Sequence, residues 1–591
     1  MSYLDKFFKN KAVVLIFIGF LIGAAFSPLF VVDTDYVSKH GEDSSNTAWE
    51  TTGQGMISTS KDGRLFNATG ADLINAVSYA SGHEVRVPGY TTIAMSAVLV
   101  LENNTQLVGA GNSSRLVLDD ASNCNMISAT DSTNIRIKDL FIDGNGDGQT
   151  VANDYRCILF WECSASIVEN CYITNSTEVG IKFWLGSDNS IVNCDVSYAG
   201  PARSPTADVG PYGIWFAGES GSSVLNCNVH DCYSGGIAIE YSGASYGSIP
   251  SRYCEVIGNT CYKNTAGIWL ENSANCTITA NTCYNNTKEE SYGSAQAHIV
   301  IGGGARFITV TSNNIFGESG HGILVYGDDV ELSSNTIRNL TGMGIYFGSS
   351  GIRNTAIANI IKNTGSYGIG LENPYSMASL NTITSATTYG INMDNHCSAI
   401  GNIITNTPRS IRASGKSNLL ISENQINASL SEGIYLESSC TDSIISKNII
   451  TYSADQGIEI KSSNNITISE NIITDSDNAA IYLNAAVNCT LFVNRLSDTG
   501  SGDQDYGILE SATANFNYVF MNNVQNNLVD GVLLQGDSSI MLFNIGNFTI
   551  FPSVNVSSAM NDYEYLNGWF DTANSRLWVN NNGDWMSTGF S

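Results

Sequence analysis

Apolar residues recur along most of this chain in short alternating runs, broken every few residues by Asn, Gly, Ser or Asp. The clearest copies are Asn448-Ile-Ile-Thr-Tyr-Ser-Ala-Asp-Gln-Gly457-Ile-Glu-Ile and Asn471-Ile-Ile-Thr-Asp-Ser-Asp-Asn-Ala-Ala480-Ile-Tyr-Leu. In each, an apolar residue follows the Asn by two positions, and a Gly (once Ala) follows it by nine, with Ile next. The Asn recurs at 259, 281, 313, 335, 359, 381, 402, 424, 448, 471 and 494, in steps mostly of 21 to 24 residues. Upstream the same slot holds Asp139, Cys171, Cys194 and Cys227. Period-two alternation in stretches this short is the strand pattern, not the helix pattern. No stretch buries enough surface alone, so copies must stack. Stacking lines up the Ile residues as one core and the Asn residues as a ladder, whose amides bond from coil to coil. Parallel strands with short crossovers are expected to wind right-handed. A leucine-rich horseshoe has a similar period, but its Leu-x-x-Leu-x-Leu pattern is absent. Some sixteen coils at about 4.8 Å each predict a rod of roughly 75 Å.

The ends depart from this pattern. Lys6, Lys9 and Lys11 precede an uncharged run, 12–32, long enough to span a bilayer. A secretory leader cleaved near Ala25 is the alternative reading. Both place the body outside the cytoplasm, and an uncleaved run makes the membrane a partner. Residues 33–64 read as a polar stalk, 65–550 as the repeat, and 551–591 as a small C-terminal β module with Asn-Asn-Gly turns.

Composition fits stacking. Of 591 residues only 14% are charged, against about 25% in an average soluble domain, while 43% are hydrophobic. A stacked charge repels its own copy, whereas Asn, Ser and Thr can ladder without that cost. Fifty-six Gly with nine Pro, at that hydrophobic content, exclude collagen, Pro-rich linkers and acidic disorder. A net charge of −28 argues against a nucleic-acid partner. Eleven of the fourteen Cys fall between Cys124 and Cys283 without zinc spacing, and read as small inward packing residues.

The Asn/Gly-Ile repeat over about 65–550, with Val85-Arg-Val-Pro88-Gly-Tyr90 and Leu107-Val-Gly-Ala-Gly111 at its start, resembles the pectin lyase superfamily of right-handed parallel β-helices, NosD-like and pectate-lyase-like. The resemblance implies an all-β, right-handed parallel β-helix. An amphipathic helix at 72–80 would cap its open end. It also implies that a substrate lies along the outer face of the glycine-led strand, between inserted loops. Extra residues do cluster there, between Asp139 and Ile158, Cys194 and Gly213, Asn281 and Ile299, and Glu240 and Glu255.

Outward positions of those strands carry the candidate chemistry. Trp161, Trp184, Trp215 and Trp269, with Lys182 and Tyr326, form a row suited to sugar faces, or else a satellite core beneath the loops. Glu240 and Glu271 share one slot on adjacent coils, a spacing that suits an acid–base pair or Ca²⁺. Glu372, Asp394 and Glu437 recur in that slot, as a plain acidic stripe would. Gly320-His321-Gly322 resembles the Gly-His-Gly of polygalacturonases, but the preceding coil, Gln296-Ala-His298-Ile, lacks their Asp pair. His298 and His321 are therefore expected side by side at the cleft floor. Asp143, Asn145, Asp147 and Asp154 follow the ligand spacing of a calcium loop, and Ca²⁺ is the cofactor they suggest, a Gly/Asp turn being the alternative. The expected partner is a polysaccharide or cell-surface glycan, bound or cleaved by hydrolysis or lyase chemistry. A non-catalytic structural or adhesive surface protein is the competing class.

Overall fold

The computed structural model describes residues 55–546 apart from 151–154, 201–210, 287–296, 318–319, 501–503, 537 and 543, together with three strands near the C-terminus. All belong to one compact unit, Gly53–Ser591. The predicted leader or span at 12–32 lies outside the described residues, and so do Asp154 and most of the inserted turns before Gly213 and Ile299. Among the described residues no helix is long and apolar enough to cross a membrane.

The repeat folds as a parallel β-helix of three sheets with 21, 19 and 18 strands. Each coil gives one short strand to each sheet, as Thr277–Thr279, Thr282–Tyr284 and Ala297–Ile301 do. We call these the first, second and third sheets; the third carries the glycine-led strands. Inward alternation stacks identical residues, and an unbroken column of isoleucines runs from Ile127 to Ile508 in the third sheet. Beside it Phe160, Phe183 and Phe216 stack at 5.0 and 5.4 Å between centroids.

The Asn ladder occupies the turn between the first and second sheets. Asn402 is fully buried; its Nδ2 donates to the Ala378 carbonyl at 2.9 Å and to Asn424 Oδ1 at 2.9 Å. Its Oδ1 accepts from both nitrogens of Asn381. All four bonding sites of a buried amide are thus used, which removes the cost of burying it. The ladder continues past Asn494 to Asn522 and Asn544. A second, shorter ladder stands five residues further along the coil, where Asn264 Nδ2 donates to Asn286 Oδ1 at 3.1 Å. The fourteen cysteines are free thiols, and thirteen of them are buried.

The N-terminal end is closed by a helix, α1 (Gly70–Ala80). Thr69 caps it, its Oγ1 accepting from the Asp72 N–H at 3.1 Å. Leu73, Ala76, Val77 and Ala80 bury the apolar face against the first coils. The stalk boundary at 64 needs correction: Met56–Thr59 is a strand, antiparallel to Leu65–Asn67 and to Glu84–Arg86. Its alternation, with Ile57 and Thr59 buried, satisfies the outermost edge of the first sheet. Near the other end, Asn567–Asp571, Arg576–Asn581 and Asp584–Gly589 form a three-stranded antiparallel sheet.

Candidate functional site

The outer face of the third sheet carries two columns of side chains between residues 158 and 326. One reads Trp161, Trp184, Ala217, Glu240, and its next positions are Glu271, Gly302 and Tyr326. The other reads Leu159, Lys182, Trp215, Ala238, Trp269, Val300 and Leu324. Strict parallel register brings the expected residues together.

Trp161 and Trp184 stack at 5.0 Å, and Tyr246 meets both edge-on at 5.6 and 4.4 Å. Tyr246 belongs to the insertion after Glu240, whose Ser242 carbonyl accepts from the Trp184 indole at 3.1 Å. This insertion therefore folds onto the tryptophan pair and walls one side of the face. Trp215 is buried, packed with Val179, Tyr212 and Ala238, and Lys182 lies beneath it, its ammonium 3.4 Å from the Trp215 ring centroid and 4.2 Å from that of Trp184. Lys182, at 2% exposure, and Trp215, at 9%, are thus supports of the face and not open contacts to a ligand. The satellite-core reading holds for these two. Trp161, Trp184, Trp269 and Tyr326 remain half-buried. Gly348 lets the Tyr326 ring lie flat on the next coil: a Cβ there would stand 2.5 Å from the ring.

Glu240 and Glu271 are neighbours across the ladder, the Glu271 N–H donating to the Ile239 carbonyl at 3.0 Å. Burial pushes the Glu240 carboxyl up to about 7, and the Glu271 charge adds to this; Tyr212, Lys182 and Trp215 pull it back. The Tyr212 hydroxyl donates to Glu240 Oε1 at 2.8 Å and is itself held well above the usual phenol range by burial and by both carboxylates. The sequence reading missed Tyr212. Its only signal is its place next to Gly213, at the end of an inserted turn. The indole N–H of Trp269 is buried without a partner.

His298 is not at the cleft floor. It pairs with Gly322 and Gly267, because Ala297 stands opposite His321 and Ala266. It thus fills the glycine slot, whose side chain points inward, and is 0% exposed. Its Nδ1 meets the Asn286 amide at 3.2 Å, its Nε2 has no partner, and burial lowers its pKa to about 4. His321, one position earlier in its coil, sits at the turn and accepts from the Met343 N–H at 3.0 Å. The two imidazoles belong to different environments, and His298 is a core residue.

The calcium-like loop is held by its own hydrogen bonds. Asp143 Oδ1 accepts from the Asn145 N–H at 2.9 Å, and Asn145 Nδ2 donates to the Leu118 carbonyl and to Asp120, each at 2.9 Å. Asn145 thus braces neighbouring coils, and Asp147 points to solvent from the turn Gly146–Gly148. Among the described residues no group of three His, Cys, Asp or Glu side chains is gathered for a metal.

The comparisons with known proteins agree with the fold. The model of the right handed beta helix region gives overlapping matches that run from residue 100 to residue 426, more than half of the chain. The chain belongs to this family of right-handed parallel β-helices. Residues 366–544 also match the model described as periplasmic copper-binding protein (NosD). No curated protein sequence matches the chain. Similar solved structures include the A-module of a mannuronan C-5 epimerase from Azotobacter vinelandii, 16% identical over 58% of this chain and 95% of that one, TM-score 0.40. Gene product 12 of bacteriophage phi29, in its pre-mature form, is 14% identical over 76% of this chain and 72% of its own, TM-score 0.45. An exopolygalacturonase from Thermotoga maritima is 14% identical over 63% and 86%, TM-score 0.33.

Proposed function

We propose that the chain is an exported β-helix protein that binds a polysaccharide along the third-sheet face between residues 158 and 326, and cleaves it with Glu240 and Glu271. The observation that carries this reading is Glu240, a carboxyl poised to exchange its proton near neutral pH, beside a second carboxylate and in one column with stacked tryptophans. Carboxyls raised by burial beside a like charge cluster at functional sites. Trp161, Trp269 and Tyr326 would take the apolar faces of successive sugars. Glu240, protonated, would donate to the leaving oxygen, and Glu271 would act as the second carboxylate. Tyr212 would hold the Glu240 carboxyl in place. Export is supported by the lysine-flanked apolar run at 12–32 and by the match of 366–544 to a family described as periplasmic.

A glycan array probed with the full chain tests binding, and absence of any bound glycan would defeat the reading. On a bound glycan, an assay for new reducing ends or unsaturated products separates enzyme from lectin. Wild type is expected to release product and Glu240→Gln to lose most of that release. Burial of Lys182 and Trp215 favours one competing reading, a packed structural face; it predicts no glycan binding.

A further inference from the structure

Downstream of the carboxylate pair, the turn leading from the third sheet into the first holds a pocket of about 420 Å³. It begins one residue after Glu271, at Asn272, and Arg252 and Arg306 line it. The backbone explains its shape. Arg252, Ala274 and Arg306 occupy one position on three successive coils, in a column that otherwise reads Thr133, Ser164, Ser187, Ser220 and, after Arg306, Asp328. Ala274 has no reach, so the two long cationic side chains stand on either side of a gap. The next residue on the outer coils is aromatic both times: Tyr253 is 61% exposed and Phe307 54% exposed.

Among the described residues Arg252 has no acidic partner, and Arg306 feels only the attraction of Asp329 without pairing with it. Asp329, one residue beyond the column, is held by the Arg353 fork at 2.7 and 2.8 Å, and Asp328 accepts from the Ile352 N–H. Two arginines two coils apart, each followed by an exposed ring, form a local cationic patch in a chain of net charge −28. The guanidinium fork fits the paired oxygens of a carboxylate or sulfate, and the rings fit the apolar face of the sugar that carries it.

We propose that Arg252 and Arg306 form an anion subsite that selects an acidic glycan, one bearing carboxylate or sulfate groups, for the face described above. This rests on the proposed glycan-binding function and narrows its substrate class. Screening at physiological salt confines the repulsion from distant acidic residues to about 8 Å, so the nearby arginines decide the local preference.

The test is a titration of the full chain at 150 mM salt with a neutral oligosaccharide, a uronate oligosaccharide and a sulfated oligosaccharide of equal length. The variants are Arg252→Ala/Arg306→Ala, Arg252→Lys/Arg306→Lys and Trp161→Ala. Wild type is expected to bind one of the acidic ligands at least tenfold more tightly than the neutral one, a preference that falls as salt is raised. The double alanine variant should lose about tenfold or more for that ligand and nothing for the neutral one, which also reports an intact fold. The double lysine variant should keep part of the preference, since it keeps charge but not the fork. The two acidic ligands separate carboxylate from sulfate recognition. Equal binding of neutral and acidic ligands, lost in Trp161→Ala, would overturn the anion subsite and leave the glycan-binding reading standing. Arginine-dependent acidic binding that Trp161→Ala does not weaken would uphold the subsite and move the glycan off the tryptophan face. Binding of none would overturn both.

Discussion

The outer face of the third sheet is one structural element with two characters. In the C-terminal stretch, from Tyr346 to Glu437, each acid of the stripe has a partner. Glu372 accepts from the Tyr346 hydroxyl at 2.9 Å, Asp394 lies 2.8 Å from Lys416, and Glu437 lies 2.7 Å from Arg412. In the N-terminal stretch the same slot holds Glu240, half-buried, bonded to a tyrosine, beside another carboxylate, its pKa pushed up to about 7. A repeat supplies the slot, and its surroundings decide what an acid there does. Where the coils are bare, stripe acids are fixed by cations or a tyrosine on adjacent coils. Beside the insertion that carries Ser242 and Tyr246, Glu240 has a tyrosine, a second carboxylate and only the partial pull of Lys182, the condition under which a carboxyl can trade protons near neutral pH.

The largest expected effect separates the stretches by chemistry. Glu240→Gln should lower product release by about 10²- to 10⁴-fold, the range for removing a general acid, whereas Glu437→Gln should leave it within about twofold. Equal losses in both would erase the distinction.

Stability should divide them by sign. The folded pKa of Glu240, about 7, lies above its ordinary value of 4.5, so the folded state holds the extra proton between those limits. Stability falls as pH rises through that window, by up to about 3 kcal/mol. Urea midpoints of wild type and Glu240→Gln should therefore separate between pH 4.5 and 7, with the variant more stable at pH 8. His298 works in the opposite direction. Its folded pKa, about 4, lies below 6.5, so stability is lost as pH falls through that interval, by a similar amount. Replacing it with Gln should remove this acid sensitivity; an unchanged pH profile would show that the imidazole is not held neutral.

The smaller effects lie in the C-terminal stretch. Glu437→Gln removes the charged partner of the partly buried Arg412, and should cost about 1 kcal/mol. Lys416→Ala, at a more open pair, should cost less than about 1 kcal/mol and be masked by 0.5 M salt. A larger loss in Lys416→Ala than in Glu437→Gln would reverse the order that burial sets.

Much of this was legible in the residues because a repeat is its own alignment. Counting from each ladder Asn placed Glu240 and Glu271 in one slot and four tryptophans on one face, and the structure keeps both. The misplacement of His298 was also a counting matter: it precedes Ile299 where other coils have Gly, and that slot points inward. The second ladder, Asn264 to Asn286, was not read from the sequence, although the five-residue spacing from Asn259 and from Asn281 is its signal. Residues in or beside insertions gave no such signal. Tyr212, Tyr246 and Arg252 follow segments of irregular length, so period cannot say what they meet.

The sequence by itself determined the stacking, because identical side chains at fixed spacing can satisfy their amides and fill their core only by lying one above another. It therefore set the coil, the register and the columns of the outer face. The tertiary structure decided the environment of each column. Whether a tryptophan is roofed or open, whether a carboxylate finds a cation, and whether two arginines flank a gap depend on how loops from different coils fold back over the sheet. Those contacts join residues whose separation along the chain carries no period, and burial, which they set, is what moves Glu240 to neutral pH.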